Sequence, residues 1–233
     1  MSTTTYAGTE LNVFAHARNW KRYLRDLAAP YLIGDVLEVG AGIGETSCAF
    51  RSHAQSSWTA LEPDDELASR LRLRVDSVQP RIRVVSGTLA AIQARPLFDC
   101  VIYIDVLEHI ERDRDELLAA AARLKPRGTI IVMSPAHQSL FTPFDAAIGH
   151  YRRYNRRQLE ALTPAGTELI GMQYLDSVGL TLTLGNRLLL RSASPTISQV
   201  QFWDRFCIPA ARRIDPLFAG RVGKSILAVW RRH

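Results

Sequence analysis

Short apolar runs alternate with segments of helical periodicity along the first half of the chain. Five of these runs predict strands, at residues 35–39, 57–61, 81–85, 98–104 and 129–133. Helices are predicted between them at residues 46–54, 64–78 and 112–124, and a turn is predicted at residues 126–128. Because the strands are apolar almost throughout, we expect a parallel sheet covered by helices on both faces. This alternation is typical of a doubly wound α/β fold.

The flanking segments follow other patterns. Residues 9–29 predict one amphipathic helix that ends before Pro30. After Ser134 comes a long connection, residues 135–154, and a connection of that length in a compact domain is usually functional. The remaining predictions are a short helix at residues 155–162, strands at 168–178 and 224–230, and helices across 180–220 that break at Pro195, Pro209 and Pro216.

The size and composition fit one globular domain. The chain has 233 residues, of which 47% are hydrophobic and 22% are charged. We expect a single domain over residues 1–233, with an N-terminal helix at 9–30 and a helical insertion or lid at 179–222. Disorder is expected only in residues 1–8, which are small and polar.

The positive charge is concentrated in the C-terminal part. The net charge is +6, and residues 187–233 hold nine Arg and Lys against two Asp, which leaves the preceding residues close to neutral. A basic face of this kind can attract RNA, anionic lipid or an anionic substrate, or it can be a plain solvated face. These alternatives stay open at this point.

The cysteines and the hydropathy of the sequence indicate the cellular compartment. Cys48, Cys100 and Cys207 are isolated, which predicts reduced core residues without a disulfide or a metal site. No signal peptide or spanning segment is recognisable, so we expect a cytoplasmic protein. Peripheral contact with the inner face of the membrane is an alternative.

Glycines follow the first strand at positions 40, 42 and 44. A strand that runs into such glycines before a helix is a nucleotide-binding turn. The dinucleotide fingerprint requires a further glycine where this chain has Glu45, and Glu38 precedes the turn. Two carboxylates disfavour a pyrophosphate and favour a cofactor with a sulfonium and an ammonium group. Glu62, at the end of the second strand, is placed to accept ribose hydroxyls, a role that fits a nicotinamide cofactor as well.

Four motifs in order then resemble one known family. They are Glu38-x-Gly-x-Gly-x-Gly44, Glu62-Pro63, Phe98-Asp99 and Asp105-Val-Leu-Glu-His109. Together they resemble the class I S-adenosylmethionine-dependent methyltransferases, and the last motif is similar to small-molecule members such as the ubiquinone-biosynthesis methyltransferases. The resemblance covers residues 34–178. It implies a seven-stranded sheet with an antiparallel edge hairpin.

The resemblance also implies a set of cofactor-binding residues. The cofactor would be S-adenosylmethionine, the product S-adenosylhomocysteine, and no metal is expected. The implied cofactor-binding positions are Glu38, Gly40, Ala41, Gly42, Gly44, Glu62, Pro63, Thr88, Leu89, Asp105 and Val106. By the same resemblance, Glu38, Gly40 and Gly42 would hold the amino-acid end of the cofactor, and residues 87–89 would flank its adenine. The family often has Asp where this chain has Thr88.

The methyl acceptor is harder to predict, because transfer from a sulfonium requires positioning more than a particular catalytic group. The Asp/Asn-Pro-Pro-Tyr/Phe motif of similar DNA amino-methyltransferases is absent after the fourth strand, so no DNA substrate is expected. His137 and His109 are candidate general bases, and a structural role for each histidine is the alternative. The candidate substrate-binding residues are His137, Phe141, Asp145 and Tyr151.

Residues 145–154 could bind substrate or merely latch the long connection through ion pairs, and a similar Gly-His-x-Arg-Arg-Tyr stretch occurs in bacterial family members. The leucines of the insertion could form a lid, lie on a membrane or pack in a core or dimer contact. These leucines are Leu180, Leu182, Leu184, Leu188, Leu189 and Leu190, beside Arg187 and Arg191. The leading hypothesis is a methyltransferase for a small-molecule, lipid-linked or saccharide acceptor. The alternatives are a non-catalytic module that binds RNA or membrane, and a nicotinamide-dependent oxidoreductase.

Overall fold

A computed structural model describes the backbone of residues 10–78, 81–189 and 196–233, with side chains for 11–78, 81–185 and 196–233. Within these residues seven strands form one sheet in the order β3-β2-β1-β4-β5-β7-β6. The strands are β1 (Gly34–Val39), β2 (Gln55–Glu62), β3 (Arg83–Ser86), β4 (Phe98–Ile104), β5 (Leu124–Pro135), β6 (Thr167–Leu175) and β7 (Ser225–Arg232). The first five are parallel, and β7 runs antiparallel to both β5 and β6. The predicted fold class is confirmed.

Helices cover both faces of this sheet. The α-helices are α1 (Glu10–Phe14), α2 (Arg18–Ala28), α3 (Glu45–Phe50), α4 (Asp65–Val75), α5 (Asp113–Ala121), α6 (Pro143–Ala147), α7 (Arg156–Ala161), α8 (Ser177–Leu189), α9 (Ile197–Phe202) and α10 (Ile208–Ile214). Side chains alternate along each strand, so Val36 packs in one core and Leu37 in the other. The first core holds Trp20, Phe50 and Trp58. The doubly covered sheet explains why the strands read as continuous apolar runs.

The register brings the carboxyl ends of three strands together. Val39 of β1 lies beside Leu61 of β2 on one side and Tyr103 of β4 on the other. The residues that follow these strand ends, Gly40 and Asp105 among them, therefore meet at one edge of the sheet. Ligands of doubly wound sheets bind at this edge.

The predicted N-terminal helix at 9–29 is two helices, α1 and α2, with a break between Phe14 and Arg18. The break lets the first turn of α2 dock on the C-terminal insertion. Oδ1 of Asp204 accepts the backbone N–H of Trp20 at 2.8 Å, and Oδ2 accepts that of Asn19 at 3.0 Å. A distant carboxylate thus caps α2, a contact that local periodicity cannot reveal.

Three other predicted boundaries were wrong. The helices do not break at Pro209, because α9 continues through a π-helical turn (Trp203–Cys207) into α10, and proline is tolerated in the first turn. The predicted turn at 126–128 is a bulge inside β5, where Arg127 has a φ of 65°. Strand β6 ends at Leu175, since Asp176 has a φ of 64° and α8 follows.

Some predictions fall on residues that the structure does not describe. Residues 1–8, Leu190, Arg191 and Pro195 lie outside the described residues, as do the side chains of residues 187–189. Among the helices that are described, none has the length and apolar character needed to cross a membrane.

Candidate functional site

The turn after β1 is built for close approach of a ligand. Gly40 has a φ of 69°, and a Cβ atom there would lie 2.7 Å from Cγ2 of Val106. Gly44 has a φ of 85°, and a Cβ atom there would lie 2.5 Å from Cδ1 of Leu71 in α4. Glycine is therefore required at both positions, at Gly40 for the bend beside β4 and at Gly44 for helix packing.

Glu62 holds this turn in place. Its Oε2 atom accepts the backbone N–H of Gly42 at 2.7 Å, and its Oε1 atom accepts that of Asp64 at 2.9 Å. Burial raises the pKa of Glu62, and the two backbone N–H groups oppose that rise. Each carboxylate oxygen retains a lone pair that could accept a hydroxyl.

Glu38 lies beneath the turn and faces away from the cavity described below. Its Oε2 atom accepts hydrogen bonds from the Ser47 hydroxyl and from Nε1 of Trp58, the latter at 3.0 Å. Burial raises the pKa of Glu38 to about 7. The side chain thus braces α3 and β2 against the turn, and it does not line the cavity.

The residues expected beside the adenine lie along the same sheet edge. Gly87 donates its backbone N–H to the carbonyl of Glu62 at 2.8 Å, which places the Thr88-Leu89 turn next to β2. Thr88 is exposed, Leu89 is buried and Pro63 is half-buried. The side chain of Val106 packs on Gly40.

A cavity of about 980 Å³ opens at this edge. The turn forms one wall through Gly40, Ala41, Gly42 and Ile43. The opposite walls are largely apolar side chains of α1, α2 and the insertion: Leu11, Phe14, Trp20, Leu24, Leu182, Val200, Phe202 and Trp203. This volume is at the upper end for ligand sites, which leaves room for a cofactor and a second molecule.

Asp105 lies at the end of β4 and faces the cavity. Its backbone has a φ of 54° and donates to the carbonyl of Met133 at 2.8 Å. The carboxylate is accessible from the cavity yet enclosed by protein, and this desolvation raises its pKa to about 6. His150, Lys21 and Lys224 favour the charged form and limit the rise.

Asp145 is the centre of the latch formed by the connection after β5. It accepts hydrogen bonds from Nδ1 of His150 at 3.0 Å and from Nε of Arg153 at 3.0 Å, and it caps α6 with Thr142. Burial alone would raise the pKa of Asp145, but these donors outweigh burial and hold its pKa well below the usual range. Asp145, His150 and Arg153 also line the cavity, so the residues that latch the connection form part of the cavity wall.

The two candidate bases occupy different environments. His109 lines the cavity and packs edge-to-face on His150, with ring centroids 4.4 Å apart. Burial and His150 lower the pKa of His109 to about 4, so its ring is neutral near pH 7. His137 does not line the cavity; its Nε2 atom lies 2.9 Å from the carbonyl of Gly223, and its ring stacks on Tyr174. This geometry gives His137 a structural role.

Phe141 and Tyr151 likewise lie away from the cavity, and Tyr151 is exposed beside the Arg152 guanidinium. Sequence reasoning missed several residues that line the cavity: Trp20, Lys21, Glu108, Trp203 and Lys224. The long connection at residues 135–154 and the insertion at 179–222 were the sequence features that indicated functional segments. Neither feature specifies which side chains point into a cavity.

Residues 36–128 match the model of a family described as a methyltransferase domain. The matched segment contains the glycine turn, Glu62 and Asp105. The matched residues form a methyltransferase domain, and together with the sequence motifs they indicate an S-adenosylmethionine-dependent methyltransferase of class I. This confirms the resemblance inferred from the motifs and decides against a nicotinamide-dependent oxidoreductase. The family uses S-adenosylmethionine as its methyl donor.

Solved structures share the fold of this methyltransferase at low identity. One is an S-adenosylmethionine-dependent methyltransferase from Clostridium acetobutylicum, with 10% identity, a TM-score of 0.61, and coverage of 93% of this chain and 92% of that chain. Another is phosphoethanolamine N-methyltransferase 2 from Haemonchus contortus, solved with phosphomonomethylethanolamine and S-adenosylhomocysteine. It has 16% identity, a TM-score of 0.62, and coverage of 96% and 57%.

The [4+2]-cyclase SpnF is also similar, with 16% identity, a TM-score of 0.61, and coverage of 91% and 80%. These structures establish the fold of the methyltransferase and leave its acceptor open. No curated protein matches the methyltransferase in sequence.

Proposed function

We propose that this methyltransferase methylates a small acceptor that carries an apolar tail, such as a lipid-linked molecule. One observation carries the proposal: Leu182 and Phe202 line the same cavity as Gly40 and Asp105, yet they are 46% and 56% exposed. The cavity mouth is therefore apolar. An acceptor with an apolar tail would bury that tail there and present its polar end to the glycine turn.

The cofactor side of the cavity fits S-adenosylmethionine. The turn at Gly40, Ala41 and Gly42 has no side chain larger than a methyl group, so a ligand can contact its backbone directly. Glu62, held by two backbone N–H groups, presents fixed acceptors to ribose hydroxyls. When bound, the cofactor supplies a methyl group on a sulfonium, an excellent leaving group. Asp105 faces this region and would supply a negative charge to a sulfonium bound there.

An acceptor hydroxyl would need a group that can remove its proton. Asp105 has a pKa of about 6, so it is largely ionised at pH 7 and still basic enough to accept a proton from an acceptor hydroxyl. His109, with a pKa of about 4, is a weaker base. We therefore assign the base role to Asp105 ahead of either histidine.

The surface around the mouth supports contact with a membrane. Leu184, Ile197 and Phe206 are exposed on the same insertion, and the Arg205 guanidinium lies over the Phe206 ring. Apolar side chains beside basic ones are typical of surfaces that lie on anionic lipid. The methyltransferase would then collect its acceptor from the bilayer surface without spanning it.

The acceptor class can be tested with an isotopically labelled methyl donor. The methyltransferase is incubated with labelled S-adenosylmethionine and a lipid extract, and labelled products are identified by mass spectrometry. Label is expected in the organic phase, and Gly40→Ala should abolish it, whereas the matched variant Gly171→Ala should retain it. Label confined to polar metabolites, saccharides or RNA would contradict a lipid-linked acceptor.

Membrane contact is tested separately by co-sedimentation with anionic vesicles at low salt. The double variant Phe202→Ser/Phe206→Ser is expected to lose binding. The exposed leucine Leu73 of α4 provides a matched control, and Leu73→Ser should bind as the wild type does. Equal binding by all three proteins, or none by the wild type, would contradict the membrane contact.

A further inference from the structure

Three clustered side chains in the cavity have no role in the proposed methyl transfer. Glu108, His109 and His150 each offer one donor atom, and the three atoms lie within 4.8 Å of one another. All three residues line the cavity that Gly40 and Asp105 share. Proton removal by Asp105 and binding of the donor require none of them.

The carboxylate of Glu108 has one oxygen atom that could bind a cation. Its side chain is fully buried, and Oε2 accepts the Ser134 hydroxyl at 2.8 Å. Oε1 has no hydrogen-bond partner in the part of the chain that the structure describes, and it lies 3.9 Å from Nε2 of His150. A buried carboxylate oxygen without a partner is costly, and a cation placed between these atoms would satisfy it.

His150 is oriented for such a cation. Its Nδ1 atom lies 3.0 Å from Oδ1 of Asp145, a carboxylate fixed by two hydrogen bonds from Arg153. With Nδ1–H donating to the Asp145 carboxylate, Nε2 carries the free lone pair and lies on the Glu108 side. A histidine that binds a metal through one ring nitrogen usually donates its other ring N–H to an acceptor such as a carboxylate.

His109 completes the donor set. Its ring packs edge-to-face on His150 and donates hydrogen bonds to the backbone at Ile148 and Gly149. The ring lines the cavity beside Glu108 and His150, and an imidazole nitrogen is a common metal ligand.

We infer that Glu108, His109 and His150 bind one divalent transition-metal ion in the acceptor side of the cavity. Two imidazoles and one carboxylate suit zinc, iron and related ions, and three protein ligands leave positions open for a substrate atom. The inference replaces the sequence-based expectation of no metal.

The role of the ion rests on the proposed function. An acceptor hydroxyl that occupied an open position would lose its proton more readily, because the cation stabilises the oxyanion. The proton passes to Asp105. The oxygen lone pair then forms the new C–O bond, and the S–C bond breaks with its electron pair returning to sulfur, which leaves S-adenosylhomocysteine.

Metal binding can be measured without any turnover. The full chain, prepared without a histidine tag and stripped with a chelator, is titrated with Co²⁺ while visible absorption is recorded. One equivalent of Co²⁺ is expected to bind and give ligand-field bands. Glu108→Gln and His150→Ala should abolish those bands, and Asp145→Asn should weaken binding about 10- to 100-fold, as loss of an orienting carboxylate does.

Matched controls use exposed residues of the same type, His53→Ala and Glu160→Gln, which should titrate like the wild type. Thermal unfolding of each stripped variant shows whether it is folded. An absence of Co²⁺ bands in the wild type, or equal bands in folded Glu108→Gln and His150→Ala, would overturn the metal site.

Binding of S-adenosylhomocysteine to the stripped protein separates this result from the proposed function. If the metal site fails while the nucleotide binds, the methyltransferase account stands without a metal. If Co²⁺ binds and the nucleotide does not, the metal site stands and the proposed cofactor site is wrong.

Discussion

The backbone N–H of Gly42 donates to Oε2 of Glu62 over 2.7 Å, so the end of β2 holds the glycine turn that follows β1. The same carboxylate accepts the N–H of Asp64 through its other oxygen. Glu62 is therefore an anchor of the turn, at the sheet edge where ligands of doubly wound folds bind.

Replacing Glu62 with alanine should weaken binding of S-adenosylmethionine by about tenfold or more. Two hydrogen bonds to a charged acceptor are lost, each worth about 1.5–3 kcal/mol, and the turn loses its anchor. Isothermal titration calorimetry measures the change. Glu66→Ala, at an exposed position of α4, should bind as the wild type does, and equal affinities for the two variants would refute the anchor role.

Gly40→Ala should abolish cofactor binding and lower the free energy of unfolding by about 2–4 kcal/mol. The positive φ costs an alanine about 1–2 kcal/mol, and its Cβ atom would lie 2.7 Å from Val106, which adds an overpacking cost. Urea unfolding measures the loss. The second variant Gly40→Ala/Val106→Ala should recover part of that stability, and no recovery would mean that the close contact is not the cause.

Asp204→Ala should lower the free energy of unfolding by about 1–3 kcal/mol. The buried carboxylate accepts the N–H groups of Asn19 and Trp20 and so ties α2 to the insertion over the cavity. Hydrogen exchange should become faster in the first turn of α2. Asp76→Ala, at an exposed position after α4, is the control, and an equal effect on both proteins would argue against the cap.

Glu38 should make stability depend on pH. In the native state its pKa is about 7, against 4.5 for an ordinary glutamate, so the folded protein binds more protons between these values. The stabilisation is full below pH 4.5 and is lost as the pH rises to about 7, at up to about 1.4 kcal/mol per pH unit.

Glu38→Gln cannot lose a proton, so its stability relative to the wild type should rise by about 3 kcal/mol between pH 4.5 and 7.5. Chemical unfolding at a series of pH values measures this difference. For the control Glu160→Gln, the difference in free energy of unfolding from the wild type should not change with pH. If the difference for Glu38→Gln did not change with pH either, Glu38 would be ionised in the folded protein at low pH.

The sheet was predictable because its strands are nearly continuous apolar runs, the pattern expected of strands that are covered on both faces, as at Phe98–Ile104. The glycine turn was predictable because positive φ values restrict positions 40 and 44 to glycine. Both signals are local. The break before Arg18 depends on Asp204, 185 residues from Asn19 along the chain, and no local pattern contains that contact.

The acceptor side was only partly predictable for the same reason. The ion pairs of the run from Gly149 to Tyr154 fit a latch, which was one of the two roles predicted, but no local pattern places His150 beside Glu108. His137 is next to a strand end, as a base would be, yet a φ of 65° turns its ring onto Tyr174. Side-chain direction after a strand depends on backbone angles that residue type does not determine.

The most direct test of the account is a calorimetric titration of the full chain with S-adenosylmethionine and S-adenosylhomocysteine, repeated with Gly40→Ala and Gly171→Ala. The account predicts one site per chain for both nucleotides, retained in Gly171→Ala and lost in Gly40→Ala. Absence of binding by the wild type, or equal binding by folded Gly40→Ala, would contradict the claim that the turn after β1 holds the methyl donor.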